Sequence, residues 1–203
     1  MSALRAAPPV AVGDSWSVDA TGWCPAAQRQ PSPNCDARPP GIRPDLLVIH
    51  NISLPPAQYG GREVVDLFLN RLDYAAHPFF AELKGVRVSA HFFVRRDGTL
   101  VQFVPCEARA WHAGVSRFGT RSACNDFSIG VELEGCDAQP FEGRQYATLA
   151  KLARALCARY PLSDVAGHSE IAPGRKTDPG PHFNWQRFLA EAAVPLRHGA
   201  SAL

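Results

Sequence analysis

The tract from Val86 to Phe103 constrains the fold most, because it reads as two strands joined by a tight turn. VRVSAHFFV and TLVQFV are rich in β-branched and aromatic residues, and Arg96-Asp97-Gly98 stands between them. Gly reaches positive φ without steric cost, so Asp-Gly between two such runs is a strong hairpin signal. A hairpin imposes an antiparallel pair, and a sheet that contains it cannot be wholly parallel.

Helical and strand patterns interleave around this hairpin. Leu46-Leu47-Val48-Ile49 reads as a buried strand that ends at His50. Residues 51–61, NISLPPAQYGG, read as a loop, and REVVDLFLNRL after it carries Val64, Val65, Phe68 and Leu72 at helical spacing. FSIGVELEG, residues 127–135, reads as a strand with Glu132 and Glu134 on one face and Val131 and Leu133 on the other. Residues 145–160 form a helix with Tyr146, Leu149, Ala153, Leu156 and Tyr160 on one stripe, stopped by Pro161. Asn184 is a good N-cap for a last helix through Trp185, Phe188, Leu189 and Ala192. The pattern predicts a single α/β domain with a central mixed sheet flanked by helices.

Composition narrows the function. A formal charge of +2 over 203 residues argues against nucleic acid or an anionic membrane as partner. No apolar run approaches the roughly 20 residues that span a bilayer. MSALRAAPPVAVGDSW lacks the continuous apolar stretch of a secretory signal, which leads to the expectation of a cytoplasmic protein. The six cysteines contain no Cys-x-x-Cys pair, so they are expected to be reduced and structural.

The chemistry concentrates in GHSEIAPGRKTDPGP, residues 167–181, a tract that reads as a loop from its Pro and Gly content. It carries His168, Lys176 and Asp178, and His50 is offered at the end of the buried strand. Two imidazoles and a carboxylate are a zinc ligand set that leaves a fourth position open, as catalytic sites do. Lys176 would place a cation where an oxyanion forms. Amide hydrolysis also needs a group that accepts and then donates a proton, and Glu132 and Glu134 are both candidates. Ala110-Trp111-His112-Ala113-Gly114 offers an aromatic plate and a further histidine, which reads equally well as core. His91 reads either as a neighbour of the metal or as a structural residue.

These segments together resemble the AmpD-type N-acetylmuramoyl-L-alanine amidases. The resemblance rests on HNISLPP, SAHFFVRRDGTLVQFVP, AWHAG, CNDFSIGVELEG, TLAKLARALCARYP and GHSEIAPGRKTDPGP, in order from about Pro31 to Phe188. It implies the single-domain fold shared with peptidoglycan-recognition proteins and the phage T7 lysozyme type. It also implies a Zn2+ cofactor and hydrolysis of 1,6-anhydromuramoyl peptides during cytosolic cell-wall recycling. Carried over by position, His50, His168 and Asp178 are the zinc ligands, Glu132 is the acid/base in preference to Glu134, and Lys176 stabilises the oxyanion. Asn51 and Trp111, in matching motifs, are implied to line the substrate cleft. Arg87 and Arg121 are expected to bind peptide carboxylates, because Arg grips a carboxylate bidentately. Residues 1–30 are expected to form an extended N-terminal segment, 31–190 the zinc amidase domain and 191–203 a C-terminal tail. The expected partner is a small muropeptide met by a monomer. Two other readings are a non-catalytic peptidoglycan-binding module of the same fold and an envelope amidase acting on intact peptidoglycan. The five filled catalytic positions argue against the first, and HNISLPP with the absent signal against the second.

Overall fold

The computed structural model describes residues 16–199. In chain order it contains strands β1 (Gln28–Arg29), β2 (Cys35–Ala37) and β3 (Leu46–Ile52), then helix α1 (Glu63–Phe68). Strands β4 (Phe92–Val94), β5 (Leu100–Gln102), β6 (Ala108–Ala110), β7 (Arg117–Phe118), β8 (Arg121–Ser122) and β9 (Ser128–Glu134) follow. The chain then forms α2 (Gly143–Arg159), β10 (Asp164–Gly167), α3 (His168–Ile171), α4 (Trp185–Ala192) and β11 (Arg197–His198).

Among the described residues, seven strands make one sheet in the order β1-β5-β4-β9-β3-β10-β11. Its single antiparallel pair is the β4–β5 hairpin, and every other pairing is parallel. Central β3 is buried from Leu46 to His50, as expected of a parallel strand covered on both faces. One face carries Leu47, Ile49, Val131 and Leu133 against α2 and α4. The opposite face has two separate apolar clusters, one around Phe93 and α1 and the other around Val48, Ala166 and Ile171.

Several elements differ from their sequence patterns. Residues 86–90 are not a strand. Asn34 takes the carbonyl of Val88 with its side-chain amide and the hydroxyl of Ser89 with its backbone carbonyl, so this stretch docks on the N-terminal segment. Helix α1 ends at Phe68 instead of continuing to Leu72, and Asn70 beyond it takes φ +57°. The tract from Gly167 to Pro181 is not all loop: Gly167 closes β10 and His168 opens the short helix α3. Strand β3 runs on to Ile52, which places His50 inside the strand and not at its exit.

The sheet also reaches past the expected domain limits, with β1 on one edge and β11 on the other. Trp16, Val18 and Cys24 pack on the α2 core, and Gln102 holds the backbone of Cys24 and Gly22. Residues 1–15 of the expected extended N-terminal segment and the last four residues of the expected tail lie outside the described residues. All six cysteines are free.

Candidate metal centre

Strand register assembles the site. His50 and Glu132 are direct partners on adjacent parallel strands, and Phe93 is the next partner across. On the other side Gly167 pairs with Ile49, so the next residue, His168, falls beside His50. Neighbouring strands lie about 4.8 Å apart, which brings these side chains into one row near the carboxyl ends of the strands. The row sits between the two apolar clusters of that face.

Asp178 completes the group from the loop after α3. His50 Nδ1 lies 3.0 Å from His168 Nδ1 and 3.0 Å from Asp178 Oδ2, and His168 Nδ1 lies 3.1 Å from the same oxygen. Ligand bonds of about 2.0–2.1 Å at tetrahedral angles set donor atoms about 3.3 Å apart, so this triangle fits a small divalent cation. Burial lowers the His50 pKa to about 4, only partly offset by Asp178, which keeps the ring neutral and able to ligate. Burial would raise Asp178, but hydrogen bonds from His168 and His50 outweigh it and hold the carboxyl well below its usual range. The tether of Asp178 is indirect: Asn51 Nδ2 donates to the Pro179 carbonyl at 3.0 Å and to Asp137 Oδ1 at 2.7 Å.

The two glutamates of β9 have different surroundings. Glu134 accepts from the backbone N–H groups of Gly60 at 2.6 Å and Arg96 at 2.8 Å, which ties the loop after β3 to the hairpin turn. Glu132 Oε2 is buried with no hydrogen-bond partner, the one such side-chain atom among the described residues. Burial first, and the nearby Asp178 charge second, push the Glu132 pKa well above its usual value, while Lys176 pulls it down. A carboxyl poised this way can hold a proton at neutral pH and exchange it.

Glu132, His168 and Asp178 open onto a cleft of about 820 Å³. Its polar wall includes His112, Glu132, His168, Lys176 and Asp178, and Leu54, Phe68, Phe79 and Val88 form an apolar wall. That volume accommodates a ligand of several hundred daltons.

A profile of the family described as N-acetylmuramoyl-L-alanine amidase matches residues 40–181, which contain the whole donor triangle, Glu132 and Lys176. The chain belongs to this amidase family. It is 54% identical over 175 residues to the 1,6-anhydro-N-acetylmuramyl-L-alanine amidase AmpD of Salmonella typhimurium SL1344, covering 85% of this chain and 94% of that relative. The AmpD of Escherichia coli K12 is also 54% identical, over 169 residues, 82% of this chain and 92% of that one. A crystal structure of a selenomethionine AmpD derivative superposes with a TM-score of 0.83 at 53% identity, over 84% of this chain and 97% of that chain. The mixed sheet with flanking helices is therefore the fold of this amidase family.

Within this amidase, Asn51 and Lys176 line the cleft, whereas three other residues expected to bind substrate lie elsewhere. Val86 and Val88 face the cleft, but Arg87 between them is exposed and reaches Asn70 Oδ1 at 3.2 Å. Trp111 is half-buried and spends its side-chain hydrogen bond on Asp36. Arg121 grips Asp45 through both guanidinium nitrogens, at 2.8 and 3.0 Å, and stacks on Phe127. Asp45 precedes β3, five residues or about 16 Å from His50 at the strand rise of ~3.3 Å, so Arg121 belongs to the opposite end of the sheet. Arg121→Ala is accordingly expected to leave KM and kcat unchanged in steady-state assays. Loss of an exposed ion pair costs about 0–1 kcal/mol of stability. A raised KM would return Arg121 to the cleft.

Sequence reasoning did not assign His112, Asp137 or Arg175, all of which line the cleft. His112 was visible only as a histidine among small residues. Its contact with His50, 2.9 Å between His112 Nδ1 and His50 Nε2, depends on a loop docking over β9. His91 is structural: it accepts from Gly130 N–H at 3.0 Å, contacts Arg38 and Ala108, and touches no ligand of the triangle.

Proposed function

We propose that this chain is a zinc-dependent amidase that cleaves the bond between the muramic lactyl carbonyl and L-alanine in 1,6-anhydromuramoyl peptides, in cytosolic peptidoglycan recycling. The observation that carries the reading is the unpaired, buried Glu132 carboxyl one strand away from the donor triangle. A binding module has no use for a proton acceptor kept there at the cost of desolvation. The substrate class follows the AmpD relatives, which are 54% identical to this chain over the matched residues. A set of two nitrogens and one oxygen with room for a fourth ligand suits zinc.

His50, His168 and Asp178 would hold the metal, which when bound supplies a Lewis acid and a water of lowered pKa. Glu132 accepts the proton of the attacking water as its oxygen bonds to the lactyl carbonyl carbon. It then returns that proton to the alanine nitrogen as the C–N bond breaks, leaving an anhydromuramic acid carboxylate and a free peptide amine. Lys176, on the cleft wall, faces the charge that builds on the carbonyl oxygen. Asn51 orients the loop that carries Asp178 and keeps its own carbonyl oxygen for the peptide.

The direct test is mass spectrometry of products from an anhydromuramoyl tripeptide incubated with zinc-loaded protein. Free tripeptide and anhydromuramic acid are expected; no cleavage, or cleavage of intact sacculi in preference, overturns the reading. Lys176→Ala should lower kcat and kcat/KM by a similar factor, on the order of a hundredfold or about 3 kcal/mol, because an oxyanion donor acts in the transition state. A rise in KM alone would make Lys176 a ground-state ligand of a substrate carboxylate.

A further inference from the structure

We propose that Asp137 is a positioning residue that fixes the Asn51 carboxamide, so that the one atom Asn51 offers to substrate is an acceptor for a peptide N–H. This role presupposes the amidase reading above. Asn51 stands near the carboxyl end of β3 and Asp137 in the turn after β9, and both line the cleft. The pairing of these strands continues past β9 through Gly135, whose N–H donates to the Ile52 carbonyl at 3.0 Å. That contact brings the turn with Asp137 up to Asn51.

The carboxamide nitrogen has two protons, and both are taken. One goes to Asp137 Oδ1 at 2.7 Å and the other to the Pro179 carbonyl at 3.0 Å. A carboxylate oxygen and a carbonyl oxygen only accept, so exchanging the nitrogen and oxygen of the amide would set acceptor against acceptor. The Asn51 Oδ1 atom is left, and it has no donor among the described residues. Asp137 makes no ion pair among them either, and its side chain bonds to Asn51 alone. Gly180, at φ +79°, lets the two segments meet: a Cβ there would stand 2.7 Å from Asp137 Cα. A substrate group seated on Asn51 must therefore donate, which a peptide N–H does and an ester oxygen or a tertiary amide does not.

Two measurements test this. Hydrogen exchange at the Asn51 side-chain amide, followed by NMR on ligand-free protein, is expected to find both protons slowed in the wild type and one of them released in D137A. Two fast protons in the wild type, or no change in D137A, overturn the proposal. In steady-state kinetics on an anhydromuramoyl tripeptide, D137A should raise KM about 3–10-fold, as for one lost hydrogen bond, with kcat and zinc content unchanged. D137N keeps an acceptor oxygen and should restore KM, whereas a role as countercharge to a substrate cation would leave it impaired. Added to N51A, D137A should cost nothing further, because Asp137 acts through Asn51. An unchanged KM in D137A, no rescue by D137N, a loss that persists in the N51A background, or a fall in kcat together with zinc overturns the proposal. If the wild type cleaves no anhydromuramoyl peptide, the amidase reading fails, while the exchange experiment still decides whether Asp137 fixes the amide.

Discussion

Replacing Glu132 with Ala should lower turnover by about 10²–10⁴-fold while metal content stays at the wild-type level. The carboxyl pairs in register with His50 but lies outside the donor triangle, so on the proposed mechanism its loss removes the proton carrier and no atom of the triangle. Glu134→Ala, two residues on and on the same face, should behave differently. It leaves the N–H groups of Gly60 and Arg96 without their acceptor, a cost of about 1–3 kcal/mol for each that stays buried. The expected signature is a lower Tm with near-normal kcat per folded molecule. Steady-state kinetics, metal quantification and thermal melts on both variants separate the cases. Equal activity losses with metal retained would show that the unpaired oxygen of Glu132 is not the working acid/base.

The second large effect is expected at Asp178. Asp178→Ala removes one of three donors and the only carboxylate among them, leaving two imidazoles. Its loss should weaken zinc binding by more than the 10–100-fold typical of outer-shell partners, and activity should fall to background. The same residue links metal to stability. A ligand at 100 times its Kd adds about 2.7 kcal/mol to the folded state, so wild-type protein should melt higher when stripped protein is given zinc. The variant should show no such shift. A stoichiometric zinc retained by Asp178→Ala would mean that the triangle of His50, His168 and Asp178 is not the binding site.

Local signals predicted local structure well. Asp97-Gly98 marked the hairpin that supplies the sheet's one antiparallel pair, and Leu46–Ile49 marked its buried centre. The stripe from Tyr146 to Leu156 marked α2, and Asn184 caps α4 by accepting from Arg187 N–H at 2.8 Å. Each of these depends on residues near one another in the chain, where turn geometry, periodicity and capping act directly. Histidine, aspartate, lysine and glutamate could be named as reactive types for the same reason, and the family resemblance then said which belonged together.

Tertiary structure decided what depends on register between distant strands. The two-residue period put Glu132 and Glu134 on one face and could not separate them. The family resemblance preferred Glu132, but the physical difference between the two came only with tertiary structure. Gly60 and Arg96 donate to Glu134, while Glu132 Oε2 is buried without a hydrogen-bond partner. The same holds for Arg121, carried to the far end of β3 by its pairing with Asp45, and for His112, brought over Gly130 onto His50. Such contacts join residues tens of positions apart and leave no trace in local periodicity, because a pairing between strands is set by how whole faces pack and not by the residues that react.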